Sequence, residues 1–441
     1  MGRYLKYAIT LCVSLMMASG MLHAAAIKVG KNHHVKSITK ALEIAADGDT
    51  IYVDGGLYRE GNIAVRKAVV LIGINNPVLD AEKKHEIFSV RVPYVTIKGF
   101  TIKASGHSAM TDIAGIKIYN THHVTVAENI LDDNFFGVYA QGSQNCTIIN
   151  NKIRAYGKAE QLIGNGIHAW KCDSLTITGN TITGHRDGIY LEFVTHTQVK
   201  NNHSETNLRY GLHFMFSHDN GYFHNTFTKN GAGVAVMYTK KVQMRYNTFN
   251  ENWGDAAYGL LLKDITDSHI ANNVFLNNTT GILMEGSNRI KIEHNLFEAN
   301  GWALRIQASC MDNTLAQNNF IHNTFDVATN GSLVLNKFEG NYWDKYEGYD
   351  LNKDGQGDVP YRPVSMFSMI VEKYPVAMLL FRSFMVTLFD RTERIFPSLT
   401  PENLKDDAPL MKPVKKSDSE KQTVLRSKHY FIKHDSYSKF V

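Results

Sequence analysis

From Gly115 onward the chain alternates apolar and polar positions in short runs that restart at near-regular intervals. Segments such as "GIHAWKCDSLTITGNTI", "GLHFMFSHDNGYFHNTF", "GVAVMYTKKVQMRYNTF" and "GILMEGSNRIKIEHNLF" open on glycines at 115, 137, 166, 188, 211, 233, 259 and 281, mostly 22 or 23 residues apart. Fourteen residues after each glycine stands an asparagine: Asn129, Asn151, Asn180, Asn202, Asn225, Asn247, Asn273 and Asn295. Short alternating strands with a period in the low twenties describe a parallel β-helix, in which each repeat is one coil that cannot bury its apolar side alone. The asparagines are predicted to stack as a ladder in the turns, and the two longer intervals read as loops bulging from a coil. A leucine-rich horseshoe would need a leucine spacing that is missing, and a β-sandwich gives no reason for such strict periodicity. The fold class is therefore all-β: a right-handed parallel β-helix with an N-terminal cap helix and a C-terminal helical extension.

The flanks depart from the period and divide the chain. The first residues, "MGRYLKYAITLCVSLMMASGMLHAAAIKV", place Arg3 and Lys6 ahead of an apolar run and small residues at its end, the layout of a cleaved secretory signal over 1–26, with an uncleaved anchor as the alternative. Residues 27–114 read as an N-terminal cap and first coils, with Ile38, Leu42 and Ile44 as the inward side of an amphipathic cap helix. Regular repeats fill 115–343, and an Asp/Gly-rich loop follows over 344–364. An apolar helical segment spans 365–400, and a flexible basic tail spans 401–441. Composition, 44% hydrophobic and 20% charged over 441 residues, is that of a globular protein. The net charge of +5 is mild, its basic excess gathers in the tail stretch "MKPVKKSDSEKQTVLRSKHYFIKHD", and no aromatic–basic interleaving in the body points to nucleic acid. Signal removal leaves Cys146, Cys172 and Cys310, an odd count that reads as core thiols, with a Cys146–Cys172 bridge as the alternative.

Strand alternation assigns the faces. Residues one and three after each glycine point into the lumen, and those two and four after it point out. The column two after the glycine contains Tyr139, His168, Tyr190, His213 and Ala235. The column four after it contains Trp170, Glu192, Met215, Met237 and Lys263. Met215 is thus expected beside Met237 at the coil spacing of about 4.8 Å, on the same face as His213, with Glu192, His218 and Met244 nearby. Thioether and imidazole together select Cu(I) over hard cations. The competing reading is an apolar, methionine-rich docking patch. A third reading takes the aromatic residues of this face as a sugar platform. His185 and Asp187 of "GHRDG" would then supply acid–base chemistry for a secreted polysaccharide lyase or epimerase.

Beyond the repeats, "NYWDKYEGYDLNKDGQGDVPYRP" spaces Asp350, Asn352, Asp354 and Asp358 like the first half of a calcium loop, but Tyr361 stands where the last carboxylate would be. Pro375 then starts an expected helix, apolar nearly all round, that offers Met378, Phe381, Phe384, Met385 and Phe389 for docking. That helix either caps the solenoid or meets a membrane partner.

Several stretches, among them "GNGIHAWKCDSLTITGNTITGHRDGIYLEFVTHT", "LRYGLHFMFSHD", "GAGVAVMYTKKV" and "EGNYWDKYEGYDLNKDGQGDVPYRPVSMFSMIVE", resemble the NosD family of periplasmic β-helical proteins. The resemblance runs to about Met411. It implies a non-enzymatic periplasmic component that works with the permease and ATPase of an ABC transporter, a copper chaperone lipoprotein and apo nitrous oxide reductase. It also implies a part in assembling the copper sites of that reductase, with Cu(I) as a transient cargo, and association with the inner membrane through the permease.

Overall fold

Each repeat folds into three short strands separated by tight corners, and equivalent strands of successive repeats pair in parallel. The computed structural model describes residues 25–108, 110–254, 256–331, 335–381, 383–395 and 404–415. The expected signal segment up to residue 24 and the tail beyond 415 lie outside the described residues. Three parallel sheets of 14, 12 and 13 strands run the length of a right-handed solenoid. The pairing keeps the repeat register: Leu212 faces Ile189 and Val234, and Met215 faces Glu192 and Met237.

The lumen is filled by one apolar layer per coil, including Leu212, Phe214, Val234 and Val236, all fully buried. Toward the C-terminus a column of rings takes over: Phe227, Phe249, Phe275, Phe297, Phe320 and Trp343 stack at centroid separations of 4.1–5.6 Å. The repeat glycines sit where coils touch most closely. A Cβ on Gly233 would lie 2.3 Å from the carbonyl oxygen of Gly259.

The asparagine ladder forms as expected and runs on through Asn318 and Asn341. Asn225 shows the pattern. Its Oδ1 accepts the backbone N–H of Asn202 at 2.9 Å and the Nδ2 of Asn202 at 3.0 Å. Its Nδ2 donates to the Val199 carbonyl at 2.9 Å and to Asn247 Oδ1 at 3.0 Å. A second ladder, five residues after the first, links Asn207, Asn230, Asn252, Asn278, Asn300 and Asn323. The first ladder ends on Asp406, which accepts from the backbone of Gly340 and Asn341, from Asn341 Nδ2 and from Trp343 Nε1. A carboxylate suits the last rung because it only accepts, and among the described residues no further coil follows to take an amide's hydrogens.

The ends hold three corrections to the sequence reading. In the N-terminal cap helix, Ile38–Ile44, the buried residues are Ile38, Ala41 and Leu42, whereas Ile44 is 55% exposed; the spacing of three and four selects Ala41 for the inner face. The apolar C-terminal segment is not one helix. An α-helix at Met366–Lys373, a 3-10 turn at Pro375–Leu380 and an α-helix at Phe384–Ile395 follow each other, because Pro375 cannot continue the first helix. Phe367 and Val371 of the first helix pack on Trp302, Phe325 and Ala328 of the last coils, and Arg305 pairs with Glu372 at 2.8 Å. Finally, residues 404–415, placed in a flexible tail by the sequence reading, form a strap on the last coil. Leu404 and Asp406 are fully buried, and Asp406 bridges both Phe338 and Tyr361.

Replacing Asn225 by Ala removes four ladder contacts and strands buried partners on both neighbouring coils. The variant is expected to lose about 3 kcal/mol of stability by chemical denaturation, several times the net value of a single hydrogen bond. A loss below about 1 kcal/mol would mean that strand pairing alone holds the coils in register.

Candidate functional site

The outer face of the 12-stranded sheet gathers the residues of interest. His213 and Met215 lie on the strand Tyr210–Met215 and Met237 on Ala232–Met237. Register sets Glu192, Met215, Met237 and Lys263 in one column and Tyr190, His213 and Ala235 in the next. The small side chain of Ala235 stands beside the imidazole of His213, which is itself only 5% exposed. Neither ring nitrogen of His213 has a hydrogen-bond partner among the described residues. A buried imidazole normally satisfies at least one nitrogen, so this ring retains unused hydrogen-bonding and ligating capacity.

Its surroundings are aromatic on two sides and ionic on a third. Tyr190 and Tyr210 each meet the ring edge-on at a centroid distance of 4.9 Å. Asp187 Oδ2 lies 3.8 Å from Nδ1, too far for a hydrogen bond. Asp187 is fully buried and clamped by Arg209 through both Nε and Nη2; burial alone would raise its pKa, but the hydrogen bonds and charge of Arg209 hold it below the usual value. The Tyr190 hydroxyl donates to Met215 Sδ at 3.7 Å, and burial, together with the Glu192 carboxylate, pushes its pKa up to about 12. Met215 and Met237 are half-buried, and Met237 packs on an apolar cluster of Ala232, Ala235, Tyr258 and Leu261.

The other residues of the sequence-derived set separate. Glu192 is half-buried next to Met215 in the column. His218 sits past the corner that follows the strand; it is half-buried, with Nδ1 lacking a hydrogen-bond partner, and burial lowers its pKa. Met244 lies in the lumen, fully buried, because its strand belongs to another sheet with the opposite parity. Tyr139, expected on an exposed aromatic face, is only 5% exposed and covered by Phe136. The three cysteines are free and buried rather than bridged, and burial pushes the Cys172 thiol up to about 12.

Asp350, Asn352, Asp354 and Asp358 do not converge on a central point. Asp350 accepts from the backbone of Asp354 and Gly355, Asn352 from Asp354, and Asp358 from Leu351, as in an Asp/Gly turn. No three His, Cys, Asp or Glu side chains among the described residues are grouped to hold a metal ion. Of the docking set, Phe384 is 80% exposed and Met378, Phe381 and Met385 are partly exposed, but Phe389 turns inward onto the Trp302–Phe325 cluster. No helix among the described residues is long and apolar enough to cross a membrane.

A family model described as "Periplasmic copper-binding protein (NosD)" matches residues 152–348. The chain is 28% identical over 409 residues to a "Probable ABC transporter binding protein NosD" of Stutzerimonas stutzeri, covering 88% of this chain and 92% of that one. A protein of the same name from Pseudomonas aeruginosa is also 28% identical, over 84% of this chain and 90% of its own. Over 152–348 the chain is thus similar to the NosD family, and the two relatives extend that likeness over most of its length. Glu192, His213, Met215, His218 and Met237 all fall inside the matched stretch, whereas the Asp/Gly turn and the apolar C-terminal segment fall beyond its end. Among solved structures, the catalytic domain of a GH87 α-1,3-glucanase superposes with a TM-score of 0.62 at 14% identity, covering 73% of this chain and 69% of that one, which shows the β-helix fold alone.

His185 is where the sequence reading of a sugar-processing site meets a physical obstacle. It stands five residues after the ladder residue Asn180, the place that asparagine holds in the second ladder. Its backbone N–H donates to Asn207 Oδ1 at 3.1 Å, and its ring meets the Gly164 carbonyl at 3.2 Å. Fully buried, it cannot reach a substrate, and neither can Asp187. The sequence signal for this was the five-residue offset. The same kind of offset reveals another missed feature: Phe193, Phe216 and Tyr238, each five after a repeat glycine, form a partly exposed ring stack beside the methionines, with centroids 5.3 and 5.0 Å apart.

Burial lowers the pKa of His185 to about 4. The unfolded chain therefore binds a proton here that the folded chain refuses, so this contribution to stability is complete above about pH 6.5 and is lost as pH falls toward 4. At pH 5 the loss is expected to be about 2 kcal/mol. A His185→Gln variant should show a correspondingly flatter fall in stability between pH 7 and 5, and an unchanged slope would show that the ring already protonates in the folded state.

Proposed function

We propose that this chain is a periplasmic, non-catalytic component of an ABC transporter complex that receives Cu(I) and passes it on for maturation of the metal centres of nitrous oxide reductase. The observation that carries this reading is the buried imidazole of His213, with both nitrogens lacking hydrogen-bond partners, set one column from the in-register pair Met215 and Met237. Two thioethers and an imidazole form a soft, low-charge donor set that favours Cu(I) and holds it weakly enough for transfer. Glu192 supplies negative charge at the edge of the site, and His218 is a candidate for the next handover position. The family's description as copper-binding and its relatives' naming as transporter binding proteins support the same assignment.

In this reading the protein is exported by its N-terminal signal and receives copper from a chaperone lipoprotein. It is held at the inner membrane by the permease, whose ATPase partner drives the cycle. Met378, Phe381, Phe384 and Met385 would face the permease, while Phe389 secures the segment to the solenoid. The apo reductase is the final acceptor.

A competitive Cu(I) titration of the mature chain should give one equivalent of copper, lost in the Met215→Ala, Met237→Ala double variant. Equal binding by the variant would move the copper site elsewhere. For the docking half, Leu379 and Phe384 are 85% and 80% exposed, so Leu379→Asp with Phe384→Asp should leave the fold intact and abolish co-purification with the permease. Retained co-purification would exclude this segment as the anchor.

A further inference from the structure

The copper reading uses His213 as a ligand but leaves its buried neighbours without a role. Asp187 and Arg209 stand at the beginning of the outer face, on the side of His213 away from the methionines. Register makes this explicit: Asp187 is paired with Tyr210, three residues before His213, whereas Met215 lies two residues after it. Along the strand, His213 is therefore bracketed by a carboxylate on one side and by thioethers on the other. The two nitrogens of an imidazole diverge across the ring, so the nitrogen turned to Asp187 and the nitrogen turned to the methionines are different atoms. The atom nearer Asp187 is Nδ1, 3.8 Å from Oδ2.

Asp187 is held in place from three directions: Arg209 Nε at 2.8 Å, Arg209 Nη2, and the backbone N–H of Tyr210 at 3.3 Å. Arg209 can only donate, and the carboxylate can only accept. The one acceptor direction left open beside His213 can therefore attract only the N–H form of Nδ1. Metal-binding histidines commonly give their other ring N–H to a carboxylate, which fixes the tautomer and turns the bare nitrogen to the metal.

We infer that Asp187, clamped by Arg209, is the positioning residue of this face: it selects the Nδ1–H tautomer of His213 and leaves Nε2 bare on the side of Met215 and Met237. At 3.8 Å the carboxylate acts on Nδ1–H through its charge, without a formed hydrogen bond. The consequence for copper rests on the function proposed above; the tautomer does not.

The test is long-range proton–nitrogen correlation on the metal-free mature chain carrying nitrogen-15 histidine, with the His213 signals identified by their loss in His213→Gln. The wild type should show a protonated Nδ1 and a bare Nε2. In Asp187→Asn, Arg209 will capture the amide oxygen and leave the NH2 facing His213, so the ring should switch to the Nε2–H tautomer. Cu(I) affinity should fall by about 10–100-fold, the usual effect of losing such a partner. An Nε2–H tautomer in the wild type overturns the assignment, as does a tautomer unchanged in Asp187→Asn. If Asp187→Asn does not fold, the wild-type spectrum alone still decides. A wild type with the Nδ1–H tautomer that binds no Cu(I) upholds the role of Asp187 and removes the copper function.

Discussion

The structure depends on one repeated interaction, a side-chain amide that serves two coils at once. Each ladder asparagine accepts the backbone N–H and the amide of the asparagine before it and donates to a strand carbonyl and to the asparagine after it. These groups are fully buried, where an unpaired amide would be costly, so the corner has one acceptable conformation in every coil. With the corners superposed, the strands between them cannot slip, and a one-residue slip would move every lumen side chain to the solvent face. That constraint converts residues 22 or 23 apart in sequence into neighbours about 4.8 Å apart in space.

The outer face inherits this precision without contributing to it. Met215 meets Met237 because their glycines are one coil apart, and Glu192 and Lys263 flank them in the same column for the same reason. Chemistry on such a surface is written in columns, and a single substitution changes one rung without moving the next. The ladder also explains where variation is permitted. His185 can replace a second-ladder asparagine because its backbone still donates to Asn207 and its ring finds a carbonyl, and Asp406 can end the first ladder because no further rung follows among the described residues.

The periodic parts of the molecule were legible in the sequence, since period, parity and ladder all follow from local alternation and the spacing of glycine and asparagine. Less legible was whatever depends on contacts between segments far apart in the chain. Alternation places His213 on the outer face, but its burial comes from Tyr190, Tyr210 and the neighbouring coils, so its lack of partners could not be read from the spacing. Asp187 stood as an acid–base candidate because its partner Arg209 is one coil away and not a neighbour in sequence. Met244 was grouped with the patch by nearness alone, whereas its strand belongs to another sheet and turns it into the lumen. The break at Pro375–Leu380 and the strap at 404–415 answer to the exposed end of the last coil, and that end has no repeat to announce it.

A rigid solenoid also limits how any cargo could be released from this face. The strands carrying His213, Met215 and Met237 are fixed by the ladders on either side, so the donor atoms cannot be drawn apart by a local opening. Transfer would then have to proceed by ligand exchange, with an incoming donor entering as a thioether leaves, and Tyr190 stands where its hydroxyl can take up the freed Met215 sulfur. Work done by a transporter could reach such a site only by changing which protein is presented to it. In the proposed cycle that task falls to the segment Met366–Ile395, joined to the solenoid through the Trp302–Phe325 cluster and the Arg305–Glu372 pair rather than through a ladder. Side-chain packing of this kind can shift between arrangements, whereas the coils it rests on cannot.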